Sequence, residues 1–268
     1  MRLLSMVRAN PELSPSRFAA TWRGVEDTLR EHATLLGIQR YEQLVTARRA
    51  PLNPLLRLLR GTRRAFAGAS SLWVDGERFR TMLATEPGRQ AWREVLRREA
   101  QAVDFTRSPQ WVVREHLLRK GTGRFDDRPL LWAGRGLAAL DDAAFRHHYL
   151  EQHGPLVAAR AELLGFDRYL QLHRVDDPLD AVLLACRESV SSAPCRESAF
   201  PVAAEVSWHT RGMFRRDRLR DAKQARREVA EDEQRHIDFS RSVIWTAQRR
   251  VLLDLTPVSA EASPIAAT

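Results

Sequence analysis

The stretch of this chain best suited to chemistry is "DDAAFRHHYLEQHGPL", residues 141 to 156. Phe145, Tyr149 and His153 advance by four, which lines their side chains along one slowly drifting helical stripe with the histidine at its far end. Pro155 has no amide proton and restricts Gly154, so the spacing predicts a break or kink immediately after His153. That puts the imidazole at a helix end, where a side chain can reach a cavity. An imidazole titrates near neutral pH, so it can give or take the proton that elimination of water beside a carbonyl requires. His153 is therefore the candidate general acid or base, with Tyr149 as a candidate substrate contact. The competing reading is a histidine that only bonds backbone at the kink.

A second set of candidates lies in "IDFSRSVIW", residues 237 to 245, read as a strand. Alternation places Asp238, Ser240 and Ser242 on one face and Phe239, Arg241 and Trp245 on the other. Arg241 beside aromatics suits an anionic or enolate-like oxygen, because its fork of donors stabilises developing negative charge. Asp238, Arg241 and Trp245 thus join Tyr149 as candidate substrate-binding residues. The alternative pairs Arg241 and its counterpart Arg107 with the acidic helix ends at Glu233 and Glu99. No pair among the eight histidines has the HExxH spacing, and the residue one turn before His153 is Tyr149, so no histidine pair is expected on that face. His236 and Asp238 are two residues apart and make two ligands, which is not a site. No metal and no cofactor is expected, since the chain also lacks a glycine-rich dinucleotide fingerprint, a phosphate loop and a nucleophile elbow.

The elements that would position these residues occur twice. "LLGIQRYEQLVT" (35 to 46) answers to "LLGFDRYLQLHR" (163 to 174), and "VDFTRSPQW" (103 to 111) answers to "IDFSRSVIW". Phe18 and Trp22 stand in the first copy as Phe145 and Tyr149 do in the second, with Glu26 at the place of His153 and no proline after it. Ser14 as N-cap, Pro15 at the first helical position and Gly37 at the end mark a helix. "RLLSMVR", "QRYEQLVT", "GASSLWVD" and "VDFTRSPQWVVREHLL" read as strands, with residues 76 to 102 helical and interrupted at Pro87 and Gly88. Each unit is then βαββαβ, a ferredoxin-like order in which helices cover one sheet face. The expected class is α+β: two tandem ferredoxin-like repeats, residues 1–120 and 128–255, followed by a tail at 256–268.

Composition excludes several classes. In 268 residues no run approaches the length of a membrane span, and "MRLLSMVR" is too short and too charged for a secretory signal, so a cytoplasmic protein is expected. The net charge of +9 comes from arginines spread over every element, with only two lysines, which argues against a nucleic-acid footprint. The exception is "ARRAPLNPLLRLLRGTRRAF", residues 47 to 66, where six arginines interleave with leucines. It reads as a solvated loop whose leucines cover the core, or as a lid or a patch for an acidic or membrane partner. Cys186 and Cys195, in "CRESVSSAPCRES", fit no zinc spacing and read as a surface loop rather than a disulfide.

In their order, Phe145, Tyr149, His153, Pro155 and Leu156, then Gly165, Arg168 and Tyr169, resemble the EthD family, a branch of the dimeric α+β barrel superfamily. The ending "EDEQRHIDFSRS" also resembles that family's acidic helix end. The resemblance covers nearly the whole chain except the basic loop, the cysteine loop and the tail. It implies that the two repeats close on each other as an intramolecular dimeric α+β barrel, an internal pseudo-dimer that needs no second copy. Relatives of this kind are associated with oxidative degradation of small organic molecules or resemble cofactor-free dehydratases, and the superfamily includes haem-using members and quinol-forming monooxygenases. The expected function is a cofactor-independent enzyme, a dehydratase or an oxidoreductase-linked one. It would act on a small apolar, aromatic or polyketide-like molecule through His153. The alternative is a non-catalytic ligand-binding or accessory protein of an oxidative degradation system.

Overall fold

The computed structural model describes residues 1–47, 52–124, 126–208 and 219–256; the expected tail lies outside them except for Thr256. Eight strands form one closed, wholly antiparallel barrel: β1 (Arg2–Val7), β2 (Ile38–Thr46), β3 (Gly68–Val74), β4 (Gln110–Arg119), β5 (Leu130–Gly134), β6 (Phe166–Arg174), β7 (Val202–Trp208) and β8 (Val243–Asp254). Around the barrel they run β1-β3-β2-β8-β5-β7-β6-β4. Within each half of the chain the order is therefore fourth, first, third, second. Two seams join the halves. β2 pairs with β8 from Arg40–Asp254 to Thr46–Ala247, and β4 pairs with β6 from Val113–Arg174 onward.

Both faces of this sheet are covered, which is why strands such as "RLLSMV" are buried at every position rather than at alternate ones. Leu4, Met6, Leu44, Leu170, Trp111 and Trp245 point inward and belong to one cluster drawn from all eight strands. Phe66 and Phe200 pack edge to face, 6.1 Å between centroids, and cover Trp245 and Trp111 at one end. The other end is ionic: Arg2, Glu42, Glu205 and Arg249 are bonded to one another across the barrel. The interior is thus filled by side chains.

Helices cover the outer face. In the first half these are α1 (Pro15–Arg23), α2 (Val25–Leu36), α3 (Leu52–Arg60), α4 (Gly76–Ala84) and α5 (Glu86–Ala100). Ser14 accepts the Arg17 amide as N-cap, and Gly37 closes α2 with a left-handed φ of 67° that favours glycine. The expected single helix from Ser14 to Gly37 is split at Gly24, whose carbonyl accepts from Arg98 Nε at 3.0 Å. The break between α4 and α5 falls at Thr85, and Pro87 lies in the first turn of the new helix.

Two expectations fail for local reasons. Residues 105–107 and 239–241 are not strand but single 3₁₀ turns, and β4 and β8 begin after them. Asp104 explains the first: its side chain accepts from the Thr106 amide and hydroxyl, and its carbonyl accepts from Ser108 Oγ, so side-chain bonds close a turn where a ladder would start. The basic stretch is likewise helical over α3, and three of its leucines, Leu55, Leu58 and Leu59, are exposed rather than set against the core. Cys186 sits buried on α8 (Leu179–Glu188) and Cys195 lies half-buried beyond it, both as free thiols.

Candidate histidine and aspartate cluster

The second half carries α6 (Asp142–His148), α7 (Gly154–Leu164) and α9 (Leu219–His236) over its part of the sheet. Asp141 caps α6 by accepting the Ala144 amide at 2.7 Å. Between α6 and α7, residues Tyr149–His153 form a π turn, with the Gly154 amide donating to the Tyr149 carbonyl. The expected break after His153 is therefore a local widening in a helix that continues. Pro155 explains it: in a regular α-helix its ring would crowd the carbonyl four residues back, and an inserted residue relieves that clash.

The insertion can be counted. Trp22 and Gly37 are fifteen residues apart, whereas Tyr149 and Gly165 are sixteen apart. Both ends of the segment stay anchored alike, since Gln43 Nε2 donates to the Trp22 carbonyl at 2.8 Å and Gln171 Nε2 donates to the Tyr149 carbonyl at 2.9 Å. A Cβ at Gly154 would lie 2.5 Å from the Leu118 side chain and 2.9 Å from that of Gln171, so a larger residue there would have to displace them.

A π turn stacks residues five apart, so His148 and His153 face the same way, and both reach Asp232 on α9. His148 Nε2 lies 3.0 Å from Oδ1 and His153 Nδ1 2.8 Å from Oδ2. One turn along α9, His236 Nδ1 is 2.9 Å from the Asp232 carbonyl oxygen, and its ring stacks on His148 with centroids 3.2 Å apart. Burial alone would raise the Asp232 carboxyl, but hydrogen bonds and charge from His153 and His148 outweigh it and hold the group below the ordinary carboxylate value. His148 is pushed down, first by burial and further by His236 and His153, against the pull of Asp232. Asp232 is therefore an ionised carboxylate that accepts from both rings. An ionised carboxylate only accepts, so His148 directs an Nε2–H and His153 an Nδ1–H at it.

The other sequence candidates do not gather here as a set. Tyr149 is buried, stacked between Trp132 (4.9 Å) and His153 (4.5 Å), and burial with the neighbouring Tyr169 pushes its hydroxyl well above the ordinary value. Trp245 is buried in the barrel interior. Asp238 precedes the 3₁₀ turn and accepts from Ser240 Oγ at 2.6 Å, and Arg241 is exposed with its nearest carboxylate, Asp238, at 4.0 Å. The alternative pairing with helix ends is not formed either, since Glu99 lies beside Arg187 and Trp22, and Glu233 pairs with Arg60.

Sequence reasoning missed Asp232, His148 and His236. The expectation that no histidine pair forms on the His153 face counted four residues per turn, and the π turn makes the relevant separation five. His148, Asp232 and His236 offer two imidazoles and a carboxylate within 4.8 Å of one another, a set that could hold a metal ion. An ion there would have to displace the protons that the imidazoles direct at Asp232.

Among the described residues the first half has no equivalent. Asp104 and Asp238, which precede the two 3₁₀ turns, are 134 residues apart, and the same offset from Asp232 reaches Arg98. Glu26 is half-buried and paired with Arg30 at 3.0 Å, one turn along its own helix.

No protein-family model matches the sequence, and no curated protein matches it. Among solved structures, a Fusobacterium nucleatum protein provisionally assigned as a monooxygenase aligns over 94% of this chain and 91% of its own, with 9% identity and a TM-score of 0.42. A chlorite dismutase variant from Candidatus Nitrospira defluvii aligns over 92% and 90%, with 9% identity and a TM-score of 0.43. Among the described residues no helix is long and apolar enough to cross a membrane.

Proposed function

We propose that the chain is a fused pair of ferredoxin-like units of EthD type, residues 1–120 and 128–255, in which only the second unit does chemistry. The repeated strand order in the two halves supports the division. His153 acts as general base or acid from the helix-covered face of the sheet, and Asp232 orients it as a positioning residue. The observation that carries this reading is the 2.8 Å bond from His153 Nδ1 to Asp232, which directs the Nδ1–H at the carboxylate and leaves Nε2 to exchange a proton. The reaction class is dehydration or a proton transfer within oxidative breakdown of a small apolar, aromatic or polyketide-like molecule, without a cofactor.

The second reading, a non-catalytic ligand-binding or accessory protein, is favoured by the filled barrel interior, which leaves the lumen to side chains rather than to a substrate. A panel of β-hydroxy aromatic ketones, followed by the absorbance of the enone formed on loss of water, separates the two. His153→Ala should slow turnover about a hundredfold, within the range of general acid–base catalysis. Glu26→Ala should leave it unchanged. Equal rates in the parent and His153→Ala, both folded by circular dichroism, would sink the catalytic reading.

A further inference from the structure

At the β2–β8 seam between the two halves, a cleft of about 1510 Å³ opens between the 8–13 loop, α1, α3 and the outer face of β8. Phe18, Val45, Phe66 and Ile244 give it apolar walls. Its charged side chains are six arginines, at positions 8, 57, 64, 107, 128 and 250, against one carboxylate, Asp127. Elsewhere in this protein arginines are habitually paired, as Arg2, Arg40, Arg80 and Arg160 are. Among the described residues only Arg128 of the six has a carboxylate within ion-pair distance, at 3.6 Å.

Two of these guanidinium groups have buried donors left over. Arg8 Nη1 donates to the carbonyls of Arg64 (3.2 Å) and Ala65 (2.6 Å), and its plane lies 3.9 Å over the Phe66 ring, yet its buried Nε has no partner. Arg250 leaves Nη1 buried and unpartnered. Burial, only partly opposed by Glu197 and reinforced by Arg107, Arg63 and Arg64, brings Arg8 down to about 10. Burial and Arg23 lower Arg250 as well. Both cations therefore sit in positive surroundings that an anion would relieve. A buried donor without a protein partner leaves room for an outside acceptor, water or ligand.

We propose that the cleft binds an amphipathic organic anion, a carboxylate on an aliphatic or aromatic body. Its head group accepts from the unpartnered Nη1 of Arg250, and its body lies against Phe18, Val45, Phe66 and Ile244. The arginine fork suits the two oxygens of a carboxylate, and the apolar walls exclude a purely inorganic ligand as the best fit. This site uses none of the residues assigned to proton transfer, so either assignment can fail without the other.

Isothermal titration of the full chain with octanoate, 1-octanol and octylammonium tests it, the three probes sharing one chain length. Octanoate should bind at one site, weaken as salt rises, and bind at least tenfold more tightly than octanol; octylammonium should not bind. Arg250→Gln should weaken octanoate about tenfold, because its loss strands no protein partner, and Arg250→Lys should recover part of that loss. Arg128→Gln, already paired, should change octanoate affinity under threefold. Octanol binding as tightly as octanoate, inorganic phosphate displacing octanoate at equal concentration, or unchanged octanoate affinity in a folded Arg250→Gln would each overturn the proposal.

Discussion

Glu205→Ala should cost the fold about 3–5 kcal/mol, the range for removing one partner of a buried ion pair. Glu205 is buried in the barrel, bonded through Oε1 to Arg2 and through Oε2 to Arg249 Nη2 at 2.6 Å. Burial alone would raise its carboxyl, but the two arginines outweigh that and hold it well below the carboxylate range. Arg249 is correspondingly pushed up: Glu205 and Glu42 outweigh the effect of burial. Truncation leaves two guanidinium groups inside the barrel with less compensation, and Arg2 has only Glu115 and Ser71 to fall back on. For a chain of this size the loss corresponds to a melting temperature lower by roughly 10 °C. Glu115→Ala, which removes the half-exposed partner of the same Arg2, should cost less than about 1 kcal/mol. Urea unfolding of the three proteins checks both values; a Glu205→Ala midpoint within error of the parent would show that the network carries no stability.

Acidification should destabilise the protein between pH 6.5 and about 4, and His173 should account for most of the slope. Its imidazole is pushed down from 6.5 to about 4, first by burial and then by His116 and Arg146. His173 Nε2 is bonded to Gln171 Oε1 at 2.8 Å, and the ring packs edge-on to His116 at 4.9 Å. A lowered imidazole value means that the unfolded chain takes up a proton that the folded chain refuses. Its contribution is complete above pH 6.5 and is lost as pH falls towards 4, at most on the order of 3 kcal/mol. His148 and Asp232, also lowered, act in the same direction, whereas Glu99, raised mainly by burial, acts in the opposite one. Comparison with His173→Gln isolates the residue. The variant should lose less stability than the parent between pH 7 and pH 4.5 in thermal melts, and parallel curves would remove His173 from the account.

The strong local signals were legible in the sequence. Ser14, Pro15 and Gly37 mark helix ends through interactions within a few residues, and apolar runs mark the strands. Phe239 to Ser242 misled because "DFSRS" alternates like a strand while its aspartate and serines close a turn, as the matching Asp104 does in the first half. Periodicity alone cannot weigh a side-chain bond against a ladder bond. Arg241 and Trp245, assigned to one strand face on that pattern, end up at the surface and in the barrel interior respectively.

By itself the sequence determined the order of the eight strands and the helices that follow the first and third of each half, because helix caps and strand patterns are local; it did not show α3 or α8. It also showed the asymmetry between His153 and Glu26. Only the tertiary structure showed what each of the two side chains is bonded to. Asp232 is 84 residues from His148 and 79 from His153, and the two histidines reach its two oxygens because one extra residue converts a turn of α-helix into a π turn. Likewise the parity of the strands did not say which face is inside until the seams β2–β8 and β4–β6 closed the barrel. A sheet buried on both sides carries apolar residues on both faces, and the pattern that distinguishes inside from outside elsewhere is lost here.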